Sequence, residues 1–204
     1  MLSTTSSVAG DRRIYFQSYV DYMNKFGNHN VSGMLLWNID QYDNNAPGNL
    51  VASLPRRKMG FAGRLSYDYD NRYMFEVNAG YNGSENFAKG HKWGFFPSVA
   101  VGWNVSQENF FEPLKDVISN LKLRASYGLV GNDQLLDSSG GLIRFIYMSD
   151  ITLQSGNAGF TTGDKQQITL NGPVYTRYQN NDLTWEVGEK LNVGFDMQLF
   201  NSLN

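Results

Sequence analysis

Residues 61–82 read FAGRLSYDYDNRYMFEVNAGYN. Two runs of alternating apolar and polar residues, 61–70 and 72–82, flank the triplet Asp70-Asn71-Arg72. Alternation of this kind is typical of a β-strand whose two faces meet different surroundings. The segment therefore predicts two long antiparallel strands joined by a tight turn.

The same alternation recurs along the chain. It is clean in residues 98–106, 121–130 and 190–200 and weaker in residues 14–26 and 31–39. Strands of about 9–11 residues match the length that a tilted strand needs to cross a bilayer, whereas strands of soluble sheets average about 5–6 residues. We therefore predict an all-β fold, an antiparallel transmembrane β-barrel architecture with about seven strands.

The connections between these strands alternate in length. Residues 26–30 and 70–72 are predicted short turns, and residues 201–204 resemble the start of another. Residues 40–58, 83–95 and 131–183 are long polar stretches. Short turns at one end and long loops at the other are typical of outer-membrane barrels.

The connection at residues 106–120 lies at the short-turn end but is long enough for a helical turn or two. Glu108, Glu112 and Asp116 recur at i, i+4 spacing, so they share one helical face. We interpret them as a solvated face in preference to a carboxylate cluster.

Composition narrows the classes of function. The chain has 204 residues, a net charge of −2, 14% aromatic residues and no cysteine. The charge argues against nucleic-acid binding, and the lack of cysteine excludes disulfides and cysteine-based zinc sites or nucleophiles. No apolar run is long enough for a membrane-spanning helix. A mean hydropathy of −0.41 fits strands whose apolar and polar faces are averaged together.

The number of predicted strands is odd, whereas bacterial single-chain barrels have even numbers. An open sheet edge in a bilayer leaves backbone groups unsatisfied. The seven strands therefore predict part of a barrel, unless a hidden strand in residues 142–149 or 174–179 restores an even number. Residues 1–10 lack a secretory leader, so either the protein is cytoplasmic or Met1 is not the start of the gene product.

A soluble all-β carbohydrate-binding module is the alternative. In such a sandwich the apolar faces of two sheets form the core. The two hypotheses differ in their expectation for Phe75, Val101, Leu123 and Phe195, which a sandwich buries and a membrane barrel leaves on its outer surface.

Several blocks of sequence, in order along most of the chain, resemble one known family. The blocks are YNGSENF (81–87), WGFFPS (93–98), GW (102–103), LKLRASYG (121–128), GN (131–132), LTWE (183–186) and NVGFD (192–196). Together they are similar to SusC/RagA-family TonB-dependent outer-membrane receptors.

The resemblance implies a segment from the later part of a larger plugged barrel, one of about 22 strands closed around an N-terminal plug. It also implies that the short turns are periplasmic and the long loops extracellular. It implies import of glycans or peptides across a Bacteroidetes-like Gram-negative outer membrane, with outer-membrane lipids and a SusD-like surface lipoprotein as partners. TonB would act only through the plug, which these residues do not include. We predict an irregular segment at residues 1–11 and a partial receptor barrel domain at residues 12–204.

No catalytic chemistry is indicated, and we predict neither enzyme activity nor a cofactor. His29 and His91 are the only histidines, too few for a histidine metal cluster or triad. The oxygen-rich residues 40–45 lack the spacing of an EF-hand and are interpreted as a solvated loop. Residues 138–141, SSGG, are interpreted as a turn and not as a nucleotide-binding loop.

One acidic residue, Glu189, interrupts the alternation near the start of the last predicted strand. Glu189 shares the apolar parity of Leu191, which argues against extending the last strand backwards unless Glu189 lies at the membrane interface or Gly188 forms a bulge.

Aromatic and polar groups of the predicted long loops suit sugar or peptide recognition. The predicted solute-binding residues are Trp93, Asn132, Asp133, Tyr147, Tyr175 and Tyr178.

Overall fold

The computed structural model describes residues 10–44, 53–136, 140–165 and 168–200. In chain order, the strands of these residues are β1 (Asp11–Phe26), β2 (His29–Asn44), β3 (Arg56–Tyr69), β4 (Tyr73–Ser84), β5 (Trp93–Asn104), β6 (Ile118–Asn132), β7 (Leu135–Leu136), β8 (Leu142–Ile143), β9 (Asp150–Thr162), β10 (Ile168–Arg177) and β11 (Glu186–Leu199). The chain divides into two compact units.

The first unit contains one antiparallel sheet of seven strands in the order β1-β2-β3-β4-β5-β6-β11. These are the seven strands that the alternation predicts, so the predicted all-β antiparallel fold is confirmed. Each strand pairs with the next one of the sheet along the chain, and the insertion between β6 and β11 belongs to the second unit. The strands are 12–16 residues long, longer than predicted.

The predicted long loops are shorter than the sequence indicates. β2 runs on to Asn44 and β3 begins at Arg56, so both strands enter the predicted loop 40–58. β4 ends at Ser84 and β5 begins at Trp93, which makes Trp93 a strand residue and not a loop residue. In β2 and β3 the alternation is hidden because both faces are polar at these strand ends, whereas at the start of β5 it is broken by Phe96, an aromatic residue on the polar face.

Tight turns join the strands at the opposite end, as predicted. Gly27 has a φ of +60° in the two-residue turn between Phe26 and His29, a conformation that glycine adopts without steric cost. Asp70 and Asn71 have φ values of +52° and +57°, and Asp and Asn tolerate this region better than most residues. The Asn71 amide also donates to Asp68 Oδ1 at 3.2 Å.

The longer connection after β5 contains two 3-10 helices, Val105–Gln107 and Asn109–Leu114. They confirm the predicted helical turns at residues 106–120. Val105, Ser106 and Phe111 are buried, and the Ser106 hydroxyl lies 2.9 Å from Asn120 Oδ1 at the start of β6. The connection is therefore packed onto the end of the sheet.

The second unit holds two small sheets, one formed by β7 and β8 and one by β9 and β10. The sequence predicts a polar loop with one hidden strand, so the paired strands β9 and β10 are a correction. β8 lies within residues 142–149 and β10 overlaps residues 174–179. Because neither joins the seven-stranded sheet, they do not make its number of strands even.

Several sequence-based interpretations fall outside the described residues. They are the irregular segment at residues 1–9, the first part of the SSGG turn at residues 138–139, and the predicted turn at residues 201–204. β1 already begins at Asp11. In the described part of the chain, no helix has both the length and the apolar character to span a membrane.

Candidate functional site on the two faces of the sheet

One face of the seven-stranded sheet is predominantly apolar. The cross-strand register joins equivalent residues into continuous rows, because the tight turns keep the alternation of neighbouring strands in phase. One such row contains Tyr22, Gly33, Leu65, Val77, Val99, Tyr127 and Leu191. A second row contains Val31, Tyr67, Phe75, Val101, Ala125 and Val193.

This apolar face is exposed. Phe75 is 44% exposed, Val101 51%, Leu123 41% and Phe195 65%. These residues would be buried in a sandwich, so the face does not serve as the core of a soluble domain. Exposed apolar surface of this extent marks a surface that is covered by another apolar phase or partner.

Aromatic residues bound the apolar face at both ends. On β5, Trp93 and Trp103 lie ten residues apart on the same face. At about 3.3 Å per residue and a strand tilt of about 40°, this spacing corresponds to about 25 Å along the membrane normal, the height of the apolar band of outer-membrane barrels. Trp93 stacks on Tyr81 with ring centroids 4.7 Å apart, and Trp103 packs edge-on against Phe110.

Glu189 is the carboxylate on this apolar face that the sequence marks as an exception. β11 extends back past it to Glu186, and the register is regular from Glu186 to Gln198, with no bulge at Gly188. β11 runs through Glu189, which lies close to Tyr127 of the neighbouring strand β6. The expected break in the strand is wrong.

The opposite face carries the charges and amides. Arg64 Nε donates to Asn78 Oδ1 at 3.0 Å, and Asn78 Nδ2 donates to Glu76 Oε1 at 2.8 Å. Ser66 Oγ donates to Glu76 Oε2 at 3.1 Å. These four residues form a polar network across β3 and β4. Such a face suits the interior of a barrel, which is polar in outer-membrane proteins.

A second polar group lies at the tight-turn end of the sheet. The Tyr73 hydroxyl donates to Glu108 Oε1 at 2.6 Å and Trp103 Nε1 donates to the same oxygen at 3.2 Å, while Arg72 Nη1 lies 3.9 Å from Glu108 Oε2. The two hydrogen bonds and the Arg72 charge hold the pKa of Glu108 below its usual value.

The acidic residues of this connection therefore have separate roles. Glu112 pairs with Lys115 at 2.8 Å, whereas Glu108 anchors the connection to the strand ends. The interpretation of Glu108 as part of a solvated face is wrong, because its side chain is only 15% exposed.

Two of the predicted solute-binding residues belong to the sheet. Trp93 lies on the apolar face, a position suited to a membrane interface. Asn132 ends β6, and its Nδ2 donates to Glu186 Oε2 of β11 at 2.9 Å. Their assignment to solute binding stays a prediction, and their surroundings favour an interfacial role for Trp93.

The other four predicted residues belong to the second unit. Tyr175 and Tyr178 stack with ring centroids 5.3 Å apart and an interplanar angle of 16°, and both are exposed. Tyr147 packs edge-on against Phe145. Asp133 is buried, and its carbonyl oxygen accepts a hydrogen bond from Asn86 Nδ2 at 2.9 Å. The structure thus brings Tyr175 and Tyr178 together.

The sequence analysis misses a polar cluster at the long-loop end of β1, β2 and β3. A cavity of about 370 Å³ is lined there by Asp11, Arg13, Asp40, Tyr42, Arg56 and Lys58. The sequence signal for this cluster is that each strand contributes two lining residues at i, i+2 spacing. The signal becomes visible only when β2 and β3 are extended into the predicted loop. The pairs are Asp11 and Arg13, Asp40 and Tyr42, and Arg56 and Lys58.

The oxygen-rich residues from Asp40 onwards also belong to β2. Adjacent strand residues alternate between faces, so Asp40 and Asp43 lie on opposite faces of the sheet. Asp40 pairs with Arg13 at 2.8 Å and Asp43 pairs with Arg12 at 2.9 Å. Among the described residues, no group of three or more acidic or histidine side chains is arranged to hold a metal ion.

The chain was compared with known proteins. It is 29% identical over 210 residues to TonB-dependent receptor P3 of Formosa agariphila, an alignment that covers 91% of this chain and 20% of the relative. It is 32% identical over 143 residues to TonB-dependent receptor SusC of Bacteroides thetaiotaomicron, covering 70% of this chain and 13% of the relative. The chain thus spans one fifth or less of the length of these relatives. No protein-family model matches it.

Solved structures share the fold. The RagAB peptide transporter matches with a TM-score of 0.70 and 19% identity, over 95% of this chain and 22% of the other. The RagAB peptide importer in its closed-closed state matches with a TM-score of 0.69 and 18% identity over the same shares.

The long alternating strands, their single antiparallel sheet and its exposed apolar face define a segment of a transmembrane β-barrel. Within that class, the sequence places the chain with the SusC/RagA-family TonB-dependent receptors, as a segment of one.

Proposed function

We propose that the chain forms part of the barrel wall of a SusC-like TonB-dependent transporter in a Gram-negative outer membrane of Bacteroidetes type. The apolar face contacts lipid and the polar face lines the interior. The observation that carries the proposal is the row from Tyr22 on β1 to Leu191 on β11, which crosses all seven strands of the sheet without a polar interruption. Its similarity to TonB-dependent receptors over most of its length supports the same assignment.

The edges of the sheet support membership of a larger barrel. Among the described residues, β1 and β11 each pair on one side only, and lipid offers no hydrogen bonds to the other side. Further strands must therefore cover these edges in the membrane. In this proposal the long-loop end of the sheet faces the cell exterior, and the tight turns face the periplasm.

The imported solute is proposed to be a glycan or a peptide, delivered with the help of a SusD-like surface lipoprotein and with energy from TonB through the plug. Peptide import is a stated property of the RagAB relatives. The exposed pair of Tyr175 and Tyr178 suits either class, because an aromatic ring stacks on a sugar face or on a peptide side chain. The segment is proposed to bind the solute and to line its path through the barrel, without catalysing a reaction.

The proposal is tested by deleting the gene that encodes this chain and measuring growth on single oligosaccharides or peptides as the carbon source. We expect loss of growth on one class and recovery with the wild-type gene. The gene product should fractionate with the outer membrane and co-purify with a surface lipoprotein. Recovery of the chain in the soluble fraction would contradict the proposal.

A further inference from the structure

The cavity at the long-loop end of β1–β3 lies on the polar face of the sheet. Five of its six lining residues occupy two adjacent cross-strand rows, and Asp11, which pairs with Asn44, lies in a third. Arg13, Tyr42 and Arg56 form one row, and Asp40 and Lys58 belong to the next. Because rows on one face are about 6.7 Å apart along a strand, these side chains converge on one small volume of about 370 Å³.

The charges within the cavity are unequal. Arg13 and Asp40 neutralise each other, since Arg13 Nε and Nη2 each lie 2.8 Å from an oxygen of the Asp40 carboxylate. Of the other lining residues, Arg56 and Lys58 are cationic and only Asp11 is anionic. The cavity therefore has an excess of positive charge, which favours an anionic ligand.

An aromatic surface adjoins the cations. The Arg56 guanidinium carbon lies 5.9 Å from the centroid of the Tyr42 ring, within the range of a cation–π contact. This contact holds the Arg56 guanidinium beside the Tyr42 ring. Tyr42 thus offers a platform for whatever adjoins the anionic group.

We propose that this cavity binds a carboxylate group of the imported solute between Arg56 and Lys58, with Tyr42 against the adjoining sugar ring or peptide side chain. A carboxylate accepts two parallel hydrogen bonds from a guanidinium, and an ammonium two residues along the same strand face is within reach of it. The inference rests on the proposed transport function and narrows its substrate to acidic glycans or acidic peptides.

The inference is tested by calorimetric binding to the intact purified receptor with two matched pairs of probes. The first pair is trigalacturonic acid and its methyl ester. The second pair is a pentapeptide with a central glutamate and the same peptide with glutamine. We expect the acidic member of one pair to bind about tenfold more tightly, which corresponds to 1.4 kcal/mol, and the pair concerned identifies the source of the carboxylate.

Two receptor variants locate the preference. The double variant Arg56→Gln with Lys58→Gln should bind both members of the pair equally. Arg57→Gln is the matched control, because Arg57 lies between them in sequence and faces the other side of β3, where its Nε donates to Gln41 Oε1 at 3.4 Å. It should keep the tenfold preference. Melting temperatures of both variants are measured to exclude a folding defect.

Equal binding within both pairs of probes, or a preference that persists in the double variant, would overturn the inference. Growth assays with the neutral probes separate this failure from that of the proposed function. A receptor that still imports a neutral probe but shows no preference for the acidic probe is a transporter that lacks a subsite for acidic solutes.

Discussion

An arginine at Leu65 provides a quantitative test of the lipid-facing surface. Leu65 lies on β3 midway between Phe61 and Tyr69, four residues from each, and all three share the apolar face. It is 52% exposed and its paired neighbours are Gly33 and Val77. The side chain therefore lies near the middle of the apolar band.

The expected cost follows from this depth. Arginine at the midplane of the lipid face destabilises an outer-membrane barrel by about 2–4 kcal/mol, and near the interface by about 0–1 kcal/mol. Leu65→Arg should therefore cost about 2–4 kcal/mol. Met59→Arg, six residues closer to the long-loop end on the same face and strand, should cost less than about 1 kcal/mol.

Ser66→Arg is the matched control for Leu65→Arg. Ser66 is the next residue of β3, at nearly the same depth, but it faces the polar side, where its hydroxyl lies 3.1 Å from Glu76 Oε2. An arginine there gains a carboxylate partner and the solvent of the interior. We expect a change in stability below about 1 kcal/mol.

The assay is urea-dependent unfolding of the receptor in phospholipid vesicles, followed by the heat-modifiable mobility of the folded form on gels. The free energy of unfolding is compared between the three variants and the wild type. Equal costs for Leu65→Arg and Ser66→Arg, or a larger cost for Ser66→Arg, would refute the assignment of the two faces.

Three further predictions concern other parts of the chain. Glu108 has a lowered pKa, so its contribution to stability is complete above the ordinary glutamate pKa of 4.5 and is lost as the pH falls through the lowered pKa. Glu108→Gln should therefore remove this part of the acid dependence of the melting temperature. An unchanged pH profile in the variant would contradict the prediction. Gly128→Val should destabilise the protein by about 1–3 kcal/mol in urea unfolding, because an ideal Cβ at Gly128 lies 2.5 Å from Cβ of Ser98. Wild-type stability of this variant would show that β5 and β6 separate freely at this position. Tyr178→Ala should weaken solute binding, measured by calorimetry, about fivefold because it removes the stack on Tyr175. An unchanged affinity would exclude this pair of tyrosines from solute binding.

The central part of each long strand is predictable from sequence because the membrane imposes the alternation. Between Phe61 and Tyr69, every second residue must suit lipid and its neighbours must suit a polar interior, so the pattern is unbroken. The predicted turn at Asp70 and Asn71 is confirmed for a related reason, since few residue types adopt positive φ at low cost.

Beyond the apolar band this constraint ends. Asp40 and Asp43 lie on opposite faces of β2, and both are polar because both faces meet water or charged groups. Alternation then disappears although the strand continues to Asn44. The cavity formed by Arg56, Lys58 and Tyr42 is therefore invisible to a search for alternating apolar residues, and the same applies to β9 in the second unit.

Glu189 shows the opposite kind of error. Its parity alone argues for a break in β11, because an unsatisfied carboxylate on an apolar face is costly. In the structure β11 nevertheless pairs regularly with β6 through this position, where Glu189 is exposed and lies close to Tyr127 of β6. Tyr127 is far away in sequence, and only the register of β6 and β11 brings the two residues together.

Spin-label accessibility along β3 tests the central claim most directly, that one face of this sheet contacts lipid and the other lines a polar interior. The 204 residues contain no cysteine, so single cysteines can be introduced at each position from 60 to 69 and labelled, in the receptor reconstituted in vesicles. The account predicts that accessibility to oxygen peaks at 61, 63, 65 and 67, and that accessibility to a polar nickel complex peaks at the positions between them. Absence of a two-residue period, or the two reagents peaking at the same positions, would contradict the account.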